Sequence, residues 1–372
     1  MLLPVNKRWL ETVAGRYNPL AFSLGETPDR IPVDPLLSMG HAANIFGVPR
    51  PDLYTDPELG VRLVLAANEF YGADAFTFWV HTAFWCEDYG GKIKLPTGYA
   101  EAPYIVEHPL KTREDIEKLE VKDVDEISKG PTMTKIWKAL ETAEKLLGRF
   151  FTPWASPYPP YELARVWLGS DKLLLWTIRE PKLVHKLLRK VVEHQTNHIT
   201  AVLRKYGRCS LGSLGSVFAC SETISPEQFK EFQIPYQKET VSRALKAGAG
   251  PGIFYHLCGD HSLDWRLHED LPLTSNTKMH VCYDGKKPMD LTEVIRVFGK
   301  KCIIQGNVPT ELMLFGTPKQ VYEEAKRQVI AYKSSPKGFV LSITCGMPPE
   351  TPPVNVHALI RAAVDHGKLE KA

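Results

Sequence analysis

The chain has 372 residues, 44% of them apolar and 24% charged, with a formal net charge of +3. That is the composition of an ordinary folded protein, and so even a charge balance gives nucleic acid no electrostatic hold. Seven cysteines, odd in number and widely spread, argue against a disulfide framework and for the cytoplasm.

No run approaches the roughly 20 apolar residues of a membrane span, and the N-terminus MLLPVNKRW lacks the apolar stretch of a signal peptide. No membrane association is therefore expected. Residues 1–50 are rich in Pro and Gly and weakly periodic, and read as an irregular N-terminal arm. From 51 to 372, short apolar runs alternate with amphipathic helical stretches. Strands are expected at 75–80, 149–155 and 209–213, then at 253–257, 278–283, 302–305 and 339–343. Helical segments fall at 113–147, broken near Gly130-Pro131, and at 160–205, broken at Glu180-Pro181. Others fall at 225–245, 290–298, 317–332 and 354–365. Ser225-Pro226-Glu227-Gln228 marks a helix start: serine caps, proline takes the first position, and Gln228 closes a capping box.

Strands alternating with helices, without a linker, call for parallel strands joined by crossover helices. About eight such units make an α/β fold, a (β/α)8 barrel of TIM type over 51–372 with an irregular N-terminal extension. An open doubly wound sheet is the alternative. Neither GxGxxG nor GxxxxGK[ST] occurs, so dinucleotide and P-loop readings lack their main motif.

The stretch YHLCGD, residues 255–260, carries the chemistry. His256 and Cys258 end an expected strand, at the face where such barrels place their active sites. Residues two apart on a strand project to the same side. The last expected strand runs into Thr344-Cys345-Gly346 at the equivalent height. His256, Cys258 and Cys345 together suit zinc, with one position left open for substrate.

Cys282, in MHVCYD, is either a displaceable fourth ligand or a buried strand cysteine. His280 stands behind the ligands or in the core. His81, in FWVHTAFWCED, is a candidate for contact with substrate or cofactor at the mouth. Asn307, in QGN, either lines the pocket or holds a loop. Glu222 belongs to the mouth or to a surface loop, whereas Glu87 and Asp88 read as surface. Trp79, Phe84, Trp85, Trp154, Tyr158 and Tyr161 either wall a cofactor or fill the core. Cys86, Cys209, Cys220 and Cys302 read as structural.

Three segments resemble the uroporphyrinogen decarboxylase superfamily. FYHLCGD (254–260) resembles the HxCG element of its zinc methyltransferases. CIIQGNVPTELMLFGTPKQV (302–321) resembles its GN-x-x-P…L…GTP-x-x-V segment. GFVLSITCGMPPETPPVNVHALI (338–360) resembles its closing GCG-x-PP-x-TP-x-x-N segment. Weaker similarities lie in GADAFTFWV, EHPLKTREDIEKLEV and ISPEQFKEFQIPY, so the resemblance covers most of the chain from about residue 60.

The resemblance implies one of two chemistries. Cofactor-free decarboxylases carry GHG where Cys345 stands, an RQAGR element that residues 1–60 lack, and a tyrosine where PYELARV has Val166. These departures disfavour porphyrinogen decarboxylation. The other branch resembles methylcobamide:coenzyme M methyltransferases. It implies zinc on His256, Cys258 and Cys345, and methyl transfer between a corrinoid (cobalamin) and a small thiol such as coenzyme M. Demethylation of an aryl ether, amine or thioether to Co(I) is the alternative direction. No DxHxxG element occurs, so the corrinoid would come on a partner protein or free.

Overall fold

The computed structural model describes residues 11–12, 28–75, 81–97, 102–250 and 252–369. Its strands are β1 (Val33–Asp34), β2 (Lys92–Lys94), β3 (Tyr104–Glu107), β4 (Trp154–Ala155) and β5 (Ser210–Ser216). They continue as β6 (Ile253–Asp260), β7 (Thr277–Asp284), β8 (Lys287–Pro288), β9 (Ile303–Gln305) and β10 (Phe339–Ser342). The main sheet runs β1-β10-β9-β7-β6-β5-β4, with β8 added to β7, and β2 and β3 form a separate antiparallel pair. Every pair along that path is parallel. A first strand hydrogen-bonded to the last is how a wound sheet closes on itself, and the fold is a TIM-type barrel. No helix among the described residues is long and apolar enough to cross a membrane.

β1 lies inside the segment expected to be an irregular arm, and the helix Met39–Phe46 follows it there. A two-residue strand leaves no alternation for a sequence pattern to show. The strand expected over 75–80 lies, apart from Ala75, outside the described residues. The expected strand at 149–155 shrinks to β4, because Gly148–Phe150 turns as a 3-10 helix and Pro153 follows. The helix at 225–245 divides into Pro226–Phe232 and Ile234–Lys246. Pro235, which has no N–H to donate, stands at that break. Its start is as expected: Ser225 and Gln228 bond reciprocally in a capping box.

Burial along β6 alternates. Ile253, Tyr255 and Leu257 are fully covered, while Phe254, His256 and Cys258 are half-buried on the other face. The second set faces the barrel interior. Lys278 of β7 reaches Asp34 of β1 at 3.6 Å, although two strands intervene in the sheet, so that contact crosses the interior. Lys278 also lies 5.1 Å over the Phe254 ring. The floor of the barrel is therefore an ion pair and an aromatic ring, with His256 and His280 above them.

Closure depends on Asp74. Its carboxylate accepts the Val33 N–H at 3.0 Å, its own N–H donates to the Val33 carbonyl at 2.9 Å, and it pairs with Arg30 at 2.7 Å. Asp74 is completely buried and Arg30 nearly so. Removing one partner of a buried pair strands the other charge, at a cost of about 3–5 kcal/mol. Asp74→Ala should lower the urea midpoint accordingly, and Asp74→Asn should lose less because the amide oxygen still accepts the Val33 N–H. Chemical denaturation followed by tryptophan fluorescence measures both.

Candidate metal centre

At the C-terminal end of β6 the ladder with β7 breaks. Leu257 pairs with Val281, and the next pair is Asp260 with Tyr283, so Cys258 and Gly259 bulge out of register. Gly259 takes a φ of 85°, which glycine adopts without strain. The bulge aims Cys258 across the mouth. Its carbonyl, lost to the ladder, accepts a hydrogen bond from His261 Nε2 at 3.0 Å. His261 is held in turn by Asp264, with Nδ1 2.5 Å from Oδ1 and both side chains buried. On the other side of β6, Gly215 of β5 lies so close that a Cβ there would come 2.1 Å from the His256 carbonyl oxygen.

Cys345 follows β10. Its neighbour Thr344 is fixed by a donated N–H from Thr310 at 3.1 Å and by the Tyr283 hydroxyl at 2.8 Å. Cys258 Sγ and Cys345 Sγ stand 3.5 Å apart, and His256 Nε2 lies 4.0 Å from Cys345 Sγ. A disulfide would require about 2.05 Å, and both cysteines are free. In a tetrahedral site with Zn–S of about 2.3 Å and Zn–N of about 2.0 Å, ligand-to-ligand edges run roughly 3.5–3.8 Å. The three atoms already stand near that spacing, and all lie within 4.8 Å of one another. The donor set, two sulfurs and one imidazole, fits zinc.

The two thiols are hydrogen-bonded to each other. The hydrogen bond from Cys258 holds Cys345 well below the ordinary thiol value, with further help from His256, and the same bond pushes Cys258 up. Burial is the largest cause that pushes Cys86, Cys209 and Cys302 up to about 12, with Glu87 and Asp88 adding to it at Cys86. Those are inert thiols in the packing.

Cys282 is brought near, but not into the set. Its sulfur lies 3.5 Å from His256 Nδ1, the opposite ring nitrogen, and 3.8 Å from His280 Nε2. His256, His280 and Cys282 form a second cluster at ligand spacing beneath the first. Burial pushes the Cys282 thiol well up and the His280 imidazolium well down.

Asn307 does not reach the mouth sulfurs. It is 2% exposed, and its amide donates to the Met289 carbonyl at 2.8 Å and to the Cys282 carbonyl at 3.4 Å. It holds β7 against the following loop. His81 caps the 3-10 helix Thr82–Tyr89, where its Nδ1 accepts the Ala83 N–H at 3.3 Å. Burial, with Arg165 nearby, pushes its imidazolium down to about 4.

Asp88, expected at the surface, is buried and accepts the Thr132 N–H at the start of the helix Pro131–Leu147. Glu87 pairs with Lys135 at 2.8 Å. Glu222 is exposed, on the loop above Gly259. Trp85 packs on His194 and His198, and the Tyr161 hydroxyl meets Thr177, so both belong to the core. Trp79 lies outside the described residues.

The sequence reading missed His261, Asp264 and Tyr283. The spacing His-x-x-Asp just after the CG pair was a usable signal for the first two, but nothing in the pattern marked Tyr283. It also missed the pair of Glu162 with Arg165 at 2.5 Å, in which the Arg165 guanidinium lies 5.3 Å over Phe218.

In the metal-free protein, Cys345 should alkylate before any other thiol. Its rate with iodoacetamide should already be on a plateau at pH 8, where an ordinary thiol of pKa about 8.5 still gains with pH. Peptide mapping by mass spectrometry after timed quenching reads this directly.

A family model described as uroporphyrinogen decarboxylase (URO-D) matches residues 16–366. Uroporphyrinogen decarboxylase from Danio rerio is 25% identical over 274 residues, covering 70% of this chain and 68% of that protein. Uroporphyrinogen decarboxylase from Pelodictyon phaeoclathratiforme is 24% identical over 320 residues, covering 82% and 83%. Among solved structures, a methyltransferase from Methanosarcina mazei superposes with a TM-score of 0.74 at 22% identity, covering 93% of this chain and 97% of that one. The match spans nearly the whole chain, and the protein belongs to the uroporphyrinogen decarboxylase (URO-D) family.

Proposed function

We propose that this chain moves a methyl group between a corrinoid and a small substrate, with one zinc held by His256, Cys258 and Cys345. One observation carries the reading. Two thiols and an imidazole nitrogen from strands that are not neighbours meet at the open end of the barrel at zinc-ligand spacing. The fold likeness to the Methanosarcina mazei methyltransferase supports it. Zinc, when bound there, would supply Lewis acidity, keeping a substrate thiol ionised at neutral pH.

The protein's own groups do the rest. Two cysteine thiolates and a neutral imidazole balance the charge of the dication, so an incoming thiolate stays electron-rich. His261 and Asp264 fix the Cys258 backbone, and Tyr283 fixes Thr344 beside Cys345. A rigid anchor of this kind turns methyl transfer into a problem of positioning. The corrinoid would arrive on a separate protein or free, because the chain carries no DxHxxG element.

A thiol acceptor is favoured over an aryl ether donor. Four of the aromatic residues that could wall such a donor, Phe84, Trp85, Tyr158 and Tyr161, are spent in the core. The names of the sequence relatives favour decarboxylation. Against that, a thiol replaces the imidazole at 345, and Val166, which cannot hydrogen-bond, replaces the tyrosine.

Purified under reducing conditions and supplied with zinc, the wild type should hold one zinc per chain by elemental analysis. Cys345→Ser should hold far less. With methylcobalamin and a panel of small thiols, the wild type should consume methylcobalamin, and Cys345→Ser should be slower by roughly 100-fold or more. A wild type that stays metal-free would overturn the reading and restore the decarboxylase alternative.

A further inference from the structure

The His256 ring offers its two nitrogens to different neighbours. Nε2 is turned toward the mouth sulfurs, 4.0 Å from Cys345 Sγ. Nδ1 is turned inward, 3.0 Å from His280 Nδ1. Two ring nitrogens at that distance need one proton between them, since facing lone pairs or facing N–H groups would repel. His280 is fully buried, and the backbone of Ile343 and Gly306 lies within hydrogen-bonding reach of its ring. Its place is thus fixed from β10 and from the turn after β9, with the two rings 4.8 Å apart.

The inner cluster of His256, His280 and Cys282 has two readings: a second metal site or a hydrogen-bonded support. Three features favour the support. His280 and Cys282 are both 0% exposed, so the cluster has no open face. The Lys278 ammonium lies in the same interior, close enough to disfavour positive charge on His280. A second ion on Nδ1 would also force the His256 ring to serve two dications at once.

We propose that His280 is a positioning residue for the metal centre: it accepts the Nδ1 proton of His256 and so leaves the Nε2 lone pair facing Cys258 and Cys345. This rests on the zinc reading of those three residues. Which nitrogen of a histidine binds metal is set by the hydrogen bond that the other one makes. Free histidine prefers its proton on Nε2, the atom the metal needs, so the preference has to be reversed by a fixed acceptor. His280 is that acceptor, and its own proton then sits on Nε2, toward Cys282.

The test begins without metal. Long-range proton–nitrogen spectra of the wild type should show His256 protonated on Nδ1, before and after zinc is added. Zinc affinity is then measured by competition with a chromophoric chelator, alongside zinc stoichiometry. His280→Phe, which cannot accept, should weaken zinc binding by about 10–100-fold. His280→Gln, whose amide oxygen can accept, should recover most of it. Replacing zinc with cobalt(II) should preserve the sulfur charge-transfer band in the Phe variant while shifting the visible bands.

His256 protonated on Nε2 in the metal-free wild type would overturn the proposal even if no variant folds. Unchanged zinc affinity in a folded His280→Phe protein would also overturn it. So would two zinc ions per wild-type chain that fall to one in Cys282→Ser. A wild type that takes up no zinc would remove the zinc reading itself, whereas a wild type that binds zinc with any of the three earlier results removes only the role of His280.

Discussion

Cys258 and Cys345 meet across the mouth at 3.5 Å, and the rest of the site is arranged around that meeting. The two residues stand 87 positions apart, on strands separated in the sheet by β7 and β9. A flat sheet would hold their side chains about 14 Å apart, at roughly 4.8 Å per strand. Only a sheet curled into a barrel, with β1 sealed against β10, turns both inward to one point. The local devices refine this. The bulge at Cys258 and Gly259 aims one sulfur, and the missing Cβ of Gly215 lets β5 lie against His256.

Beneath the sulfurs the barrel interior is polar and layered. The ion pair of Lys278 with Asp34 forms the floor, Phe254 lies over it, and the His256–His280 pair stands above. Burying such groups is costly unless each finds a partner, and here each does. In return the His256 ring rests on a column that cannot shift without breaking those contacts. The thiols divide accordingly. Those in the packing layers are pushed up chiefly by burial, while the hydrogen bond at the mouth holds Cys345 well below the ordinary thiol value.

The family relationship and the proposed chemistry fit together once fold and site are kept apart. A barrel supports many reactions by changing a few residues at its mouth. The sequence relatives carry the name of a decarboxylase. In this chain the loop after β10 presents a thiol, and the segment after β4 presents valine at the tyrosine position. A soft sulfur in that loop changes what the mouth can hold without altering the strands that build it.

The sequence determined the βα alternation, the helix start at Ser225, and the trio His256, Cys258 and Cys345 that the barrel gathers at its mouth. Each of these is written in short-range pattern: period, capping residues, or a motif at a strand end. The sequence did not show β1, because two residues carry no period, nor the division of the helix at Gln233. It left Cys282, His280 and Asn307 each with two meanings, and His81 as a candidate contact at the mouth. Tertiary structure decided among them, because which nitrogen a ring offers and which carbonyl an amide meets depend on neighbours from distant strands. Asn307 went to the scaffold, His81 to a helix cap, and Cys282 and His280 to the layer beneath Cys258 and Cys345. The packing across the barrel interior, where a few ångströms separate His256 from His280 and Cys282, is not encoded in any local stretch of chain.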